Sequence, residues 1–215
     1  MPPDSAQRPY HSPLREAQAA LTRERILMAA REYLERHEIE SLTLRRVAEL
    51  AGVSPPTVYA HFATMDDLVA AFFQWLKPRL GLDRPPARIA DVEAMPARLF
   101  PRYDEHGALL RNLMNRPAWD RQRLADRDRR HAPWLAALRA ELPHLPPEAL
   151  RRGGLAVASC WTPTHWRWLR DTGGFPPDAA VAVATWTIRS LIEALRRDSE
   201  GLDGAAPTLT SEDQP

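Results

Sequence analysis

Leu42-Thr43-Leu44-Arg45-Arg46-Val47-Ala48-Glu49-Leu50-Ala51-Gly52-Val53-Ser54-Pro55-Pro56-Thr57-Val58-Tyr59-Ala60-His61-Phe62 is the stretch on which the fold turns. Thr43 precedes Leu44, Val47, Ala48 and Ala51, apolar residues at i, i+3, i+4 and i+7, which mark one face of a short helix that a threonine side chain can cap. Gly52 follows, placed to take the left-handed conformation that stops the helix. Ser54 caps a second helix, and Pro55 and Pro56 fall in its first turn, where the missing N–H groups would have had no intrahelical partner. Val58 and Phe62, four apart, face inward and leave Pro55, Thr57, Tyr59, Ala60 and His61 mostly outward. A short helix, a tight turn and a second helix with a polar, exposed first turn form the geometry that sets a recognition helix in the major groove of DNA.

Working outward, Thr22 is expected to cap a helix that carries Ile26, Leu27, Ala30, Tyr33 and Leu34 on one face and ends near His37. Thr64 and Asp67 have the spacing of a capping box for a fourth helix, with apolar positions Leu68, Val69, Phe72, Phe73, Trp75 and Leu76, running to Pro78. Past a joint from Gly81 to Pro86, helices are expected near 91–104, 107–115, 118–141, 147–171 and 177–197. Pro163, inside the 147–171 segment, removes a backbone hydrogen bond and clashes with the Ser159 carbonyl, which predicts a kink; from the sequence it could shape a pocket wall or relieve packing. Apolar residues follow helical spacing throughout, so the fold class is all-α.

Composition narrows the function. The chain has 215 residues and a formal net charge of only +1, and acidic and basic residues balance through Met65. Any DNA binding must therefore rest on where the arginines sit, and non-specific affinity should be modest and sensitive to salt. The one cysteine, Cys160, has no intrachain disulfide partner, and neither a secretion signal nor a membrane-length apolar run is visible, so a cytoplasmic location is expected. The organisation expected is a disordered arm over 1–20, a helix-turn-helix domain over 21–65, a helical domain over 66–197 whose 66–80 segment connects the two, and a disordered acidic tail over 198–215.

The ordered set of Leu42-Thr43-Leu44-Arg45-Arg46-Val47-Ala48, Ala51-Gly52-Val53-Ser54, Thr57-Val58-Tyr59-Ala60-His61-Phe62 and Asp66-Asp67-Leu68 closely resembles the DNA-binding signature of the TetR family of transcriptional regulators. The resemblance covers residues 22–76 and is only architectural over 82–197. It implies a homodimeric repressor of double-stranded DNA, with Thr43 and Tyr59 on backbone phosphates and Arg45, Pro55, Pro56, Thr57 and His61 at bases or nearby phosphates, and Ser54 at the same helix start. An arginine fork suits guanine, and a threonine or proline methylene suits the thymine methyl. This chain departs from the pattern at Met65, where the family often has a phosphate-binding lysine, at Ala60, which cannot reach far into the groove, and in lacking a glycine within His37-Glu38-Ile39-Glu40.

The resemblance further implies an effector cavity among the middle helices and a dimer interface on the last two. Trp119, Trp134, Trp161, Trp166 and Trp168 offer large apolar walls, and His165 with Ser159, Thr162 and Thr164 could orient polar atoms. The residues expected at the ligand are Trp119, Trp134, Trp161, His165 and Trp168, although bundle tryptophans are more often core. Ala179, Val183, Trp186, Thr187, Ser190, Leu191 and Ala194 form a helical stripe suited to a four-helix dimer bundle, with Val183, Trp186, Ser190 and Leu191 at the interface. Gly153, Gly154, Ala156 and Ala158 would let the preceding helix approach it closely.

An enzyme is not indicated. Cys160 and His165 stand about 140° apart around a helix, the histidines show no metal-ligand spacing, and there is no glycine-rich phosphate loop, so neither a metal nor a cofactor is expected. The competing reading is a ligand-binding or protein-interaction regulator whose helix-turn-helix no longer reads DNA.

Overall fold

The computed structural model describes residues 13–38, 41–115, 117–125, 127–197 and 202, and among them the secondary structure is helical with no strand. The chain divides into two compact units, one up to Phe73 and one from Gln74 on. The division falls inside the fourth helix, whereas the sequence reading placed the boundary ahead of it.

In the first unit α1 spans Pro13–Leu34, α2 Leu44–Ala51 and α3 Pro55–His61, and α4, Met65–Arg79, begins there. Both α1 and α3 pack on α2. The core is Ile26, Leu27, Ala30 and Leu34 from α1, Val47 and Ala48 from α2, Val58 from α3, and Phe62 after it. Thr22 does not cap α1. The helix begins at Pro13, and the Thr22 hydroxyl donates to the Gln18 carbonyl one turn back (2.9 Å). Residues 13–20 are exposed helix built largely from good helix formers, where the sequence leads one to expect a disordered arm. Residues 1–12 lie outside the described residues.

The Thr64–Asp67 capping box forms, with each residue's backbone N–H donating to the other's side chain (2.9 and 3.1 Å). Pro78 does not end α4; it sits in the last turn, and the chain leaves through Gly81 at φ 71°, with Leu82 N–H returning to Lys77 O (2.9 Å).

The second unit holds α5 (Ile89–Glu93), α6 (Met95–Glu105), α7 (Gly107–Met114), α8 (Pro117–Ala125), α9 (Arg127–Glu141), α10 (Pro147–Ser159), α11 (Pro163–Arg167) and α12 (Pro177–Arg197). The helix α12 packs on α5, α6 and α10, and α10 also packs on α9. Three expected helices are subdivided. The 91–104 segment breaks at Ala94, and the 118–141 segment is α8 and α9, with Asp126 between them outside the described residues. At Pro163 the chain breaks rather than kinks: α10 stops at Ser159, Thr162 becomes the N-cap by accepting from His165 N–H (3.2 Å), and Pro163 opens α11. A π-helical turn, Trp168–Thr172, continues α11.

Gly153 and Gly154 set how closely α10 can be approached from both sides. A Cβ on Gly153 would lie 2.4 Å from Leu195 Cδ2 of α12, and one on Gly154 2.8 Å from Trp134 and Leu135 of α9. Ala158 is buried with them, while Ala156 is exposed. Of the expected acidic tail, Leu202 alone is described; its carbonyl accepts from Arg152 and its side chain approaches Gly153, so this residue lies on α10.

Candidate functional site

Local chemistry fixes the helix-turn-helix. The Thr43 hydroxyl accepts from Arg46 N–H (3.1 Å), and Gly52 takes φ 61° and ψ 38°, with its N–H bonded to the last carbonyls of α2. Ser54 caps α3 by accepting from Thr57 N–H (3.3 Å), and the Ser54 and Thr57 hydroxyls share a 2.7 Å hydrogen bond. Buried Val58 and Phe62 anchor the inner face of α3. Pro55 and Pro56 are exposed, Thr57 and His61 are half-buried, and Tyr59 is 54% exposed. Thr43 and Arg45 stand on the exposed side of α2, where Arg45 meets Glu49 only at 3.9 Å. The eight residues expected at DNA thus all keep some exposure on two adjoining helix starts and the outer face of α3.

Two arginines of α1 were not anticipated. Arg25 donates to the Gly52 carbonyl (3.2 Å) and so braces the turn, and Arg23 lies over the Phe62 ring, 5.3 Å from its centroid. Arg23, Tyr59, His61, Phe62 and Asp67 border an open depression of about 430 Å³. Neither arginine could be found from a one-helix pattern, because each is placed by the packing of α1 on its neighbours.

In the second unit Trp119, Trp134 and Trp161 are buried, and Trp134 and Trp161 meet edge to face at 6.1 Å. Trp168 does not join them. It is 56% exposed and stacks on His165 at 6.4 Å, because the break at Pro163 and the π-helical turn set its register apart from that of α10. His165 is half-buried, its Nε2 has no partner among the described residues, and burial lowers its pKa. Trp166 is structural: its Nε1 donates to Asp104 (3.2 Å), which also accepts from Arg170 (2.8 Å), and Arg111 covers its ring.

Sequence reasoning passed over Tyr103, which is buried beside Trp166 and donates to the Trp161 carbonyl (3.3 Å), and Arg123, whose guanidinium lies 5.7 Å from the Trp119 ring centroid. Burial pushes the Cys160 thiol up, the reverse of an activated nucleophile. Among the described residues no group of three or more His, Cys, Asp and Glu could hold a metal, and no helix is long and apolar enough to cross a membrane.

The helix α12 has two faces. Ala180, Ala184, Ile188, Ile192 and Leu195 are buried in their own unit, where full burial of each isoleucine contributes about 1.5–3 kcal/mol. Val183 and Leu191 are half-buried, Ser190 is exposed and Trp186 is 69% exposed.

A helical chain of two units, the first presenting a capped recognition helix, belongs to the class of helix-turn-helix proteins. Residues 26–72 match the family model described as bacterial regulatory proteins, tetR family. The whole chain is similar to the structure of native NalD, the secondary repressor of the MexAB-OprM multidrug efflux pump in Pseudomonas aeruginosa, with 22% identity, a TM-score of 0.57, and coverage of 84% of this chain and 98% of that one. It is also similar to a tetR-family transcriptional regulator from Streptomyces coelicolor, with 19% identity, a TM-score of 0.54, and coverage of 85% and 90%. At these identities the likeness is one of fold. No curated protein sequence matches the chain.

Proposed function

We propose that the protein is a cytoplasmic, homodimeric transcriptional repressor that reads a palindromic operator through α3 and releases it when a small, largely apolar molecule occupies the second unit. The observation that carries this reading is the split of α3 into a buried anchor, Val58 with Phe62, and an exposed start at Ser54, Pro55 and Pro56, next to the exposed Thr43 and Arg45 of α2. In this reading Thr43 and Tyr59 hold phosphates, and Arg45, Pro55, Pro56, Thr57 and His61 meet base edges or nearby phosphates. Val183, Trp186, Ser190 and Leu191 of α12 form the two-fold interface, which sets the two recognition helices about 34–36 Å apart, one turn of DNA. Trp119, Trp134, Trp161 and His165 receive the effector. That NalD is itself a repressor adds support to the regulatory part.

Selection of bound duplexes from a random pool at low salt tests the reading. An enriched palindrome is expected, and recovery of no enriched sequence overturns it in favour of a regulator that does not read DNA.

A further inference from the structure

Arg23 lies one turn ahead of Ile26 and Leu27, so it continues the row of α1 that Ile26, Leu27, Ala30 and Leu34 bury. Burial of that row carries Arg23 to the end of α3, where its guanidinium lies 5.3 Å from the Phe62 ring centroid while the residue stays exposed. Its neighbour Arg25 is bonded to the Gly52 carbonyl (3.2 Å), and Arg46 of α2 to the Glu49 carboxylate (3.0 Å). Arg23 is held differently. The ring places the guanidinium without supplying an opposite charge, and no carboxylate lies within ion-pair distance of it among the described residues.

The surface beside it is concave. Arg23 borders the depression of about 430 Å³ together with Tyr59 and His61, two of the residues proposed at DNA, and Ala60 lines it with no more than a methyl group. Asp67 is the acid on the border. Its Oδ2 accepts from both the Thr64 N–H (2.9 Å) and the Thr64 hydroxyl (2.8 Å), so this carboxylate is engaged in capping α4. The depression thus gathers a guanidinium, a phenol hydroxyl and an imidazole on one edge of the recognition helix, and these are groups that donate to phosphate oxygens.

From this arrangement we infer that Arg23 and Tyr59 hold one and the same phosphate of the DNA backbone, seated in the depression beside His61. The guanidinium fork matches two phosphate oxygens, and the Tyr59 hydroxyl donates to the same group. The helix α1 thereby supplies an electrostatic anchor in a chain whose Met65 offers no charge. A contact of this kind carries no sequence information; it adds affinity for any duplex and fixes how α3 sits over the groove. The inference rests on the DNA-reading function proposed above and adds to it a residue outside the helix-turn-helix.

The test uses the full-length protein, the duplex recovered by selection and a scrambled duplex. Arg23→Gln is expected to weaken binding at least about tenfold on both duplexes. It should also reduce the slope of log affinity against log salt by about 0.9 for each subunit bound, with the melting temperature near wild type. Arg23→Lys, which keeps the charge, should keep the slope. Single methylphosphonate linkages, which neutralise one phosphate at a time along a half-site, then locate the contact. At one position the neutral linkage is expected to weaken the wild type but to cost little further in either Arg23→Gln or Tyr59→Phe. An unchanged salt slope in Arg23→Gln, or different positions of insensitivity for the two variants, overturns the inference and leaves the DNA-reading function standing. Loss of binding that comes with a lowered melting temperature and an unchanged slope does the same, because it assigns Arg23 to the support of Phe62. A wild type that binds neither duplex overturns both.

Discussion

Tyr59 and Arg45 contribute little to the fold that carries them, which makes them clean probes of DNA contact. Among the described residues Arg45 has a long, exposed pairing with Glu49, worth about 0–1 kcal/mol. Arg45→Ala should thus leave the melting temperature near wild type while weakening operator binding by about 1–3 kcal/mol and relaxing its preference at one position. Tyr59→Phe should weaken binding on all sequences alike and leave the preference intact, measured by titration on operator and scrambled duplexes. Thr43 and Gly52 behave differently, because each also holds the backbone. Thr43→Ala should cost about 1 kcal/mol of stability by deleting the α2 cap as well as weakening DNA binding. Gly52→Ala meets no atom within 4 Å yet must hold φ 61°, so it should lower the unfolding free energy measured in urea by about 1–2 kcal/mol through backbone strain alone. These positions were legible in the sequence because caps and left-handed glycines act within a few residues of themselves. Arg123 was not. It stands among Arg121, Arg127, Arg129 and Arg130, where a charge looks like solvated surface, yet it is half-buried and its guanidinium lies over the Trp119 ring.

At the scale of elements, α12 was readable because its small and large residues sort onto two faces, and the buried and exposed sets fall one helical row apart. Trp186→Asp lies on the outer face and should split the proposed dimer without unfolding the chain, which sedimentation together with circular dichroism would show; a dimer that persists places the interface elsewhere. The breaks at Ala94 and Pro163 were harder to see. A proline reads as a kink or as a first-turn residue depending on whether the residue before it can cap, and Thr162 did so here. For the same reason Trp168 could not be told from Trp161 by composition. The π-helical turn is clasped to α7 by Arg111, whose guanidinium donates to the Asp171 carboxylate (2.7 Å) and holds it below the usual carboxylate range. A carboxyl depressed in the folded state stabilises above its unfolded value, about 3.9, and that contribution is lost as pH falls through the folded value. Asp171→Asn should therefore lower the urea midpoint at neutral pH and flatten its fall in acid.

For the molecule as a whole, the near-neutral charge predicts that specificity and not bulk electrostatics would hold it on the proposed operator, so affinity for random DNA should collapse as salt rises. Coupling must also be reciprocal: a ligand that weakens operator binding must itself bind more weakly, by the same factor, when operator is saturating. The glycine pair of α10 says something about how such coupling could be carried. With no Cβ on Gly153 or Gly154, the helix is a thin plate, touched by Trp134 on one side and Leu195 on the other. Side chains on both surfaces would act as springs and absorb a displacement by changing rotamer; bare backbone cannot. A push on the Trp134 indole would then meet backbone, with no intervening side chain of α10, on its way to Leu195 of α12. The spacing has a tolerance set by the missing side chains: a methyl group on Gly153 would have to displace Leu195, and one on Gly154 would have to displace Trp134 and Leu135.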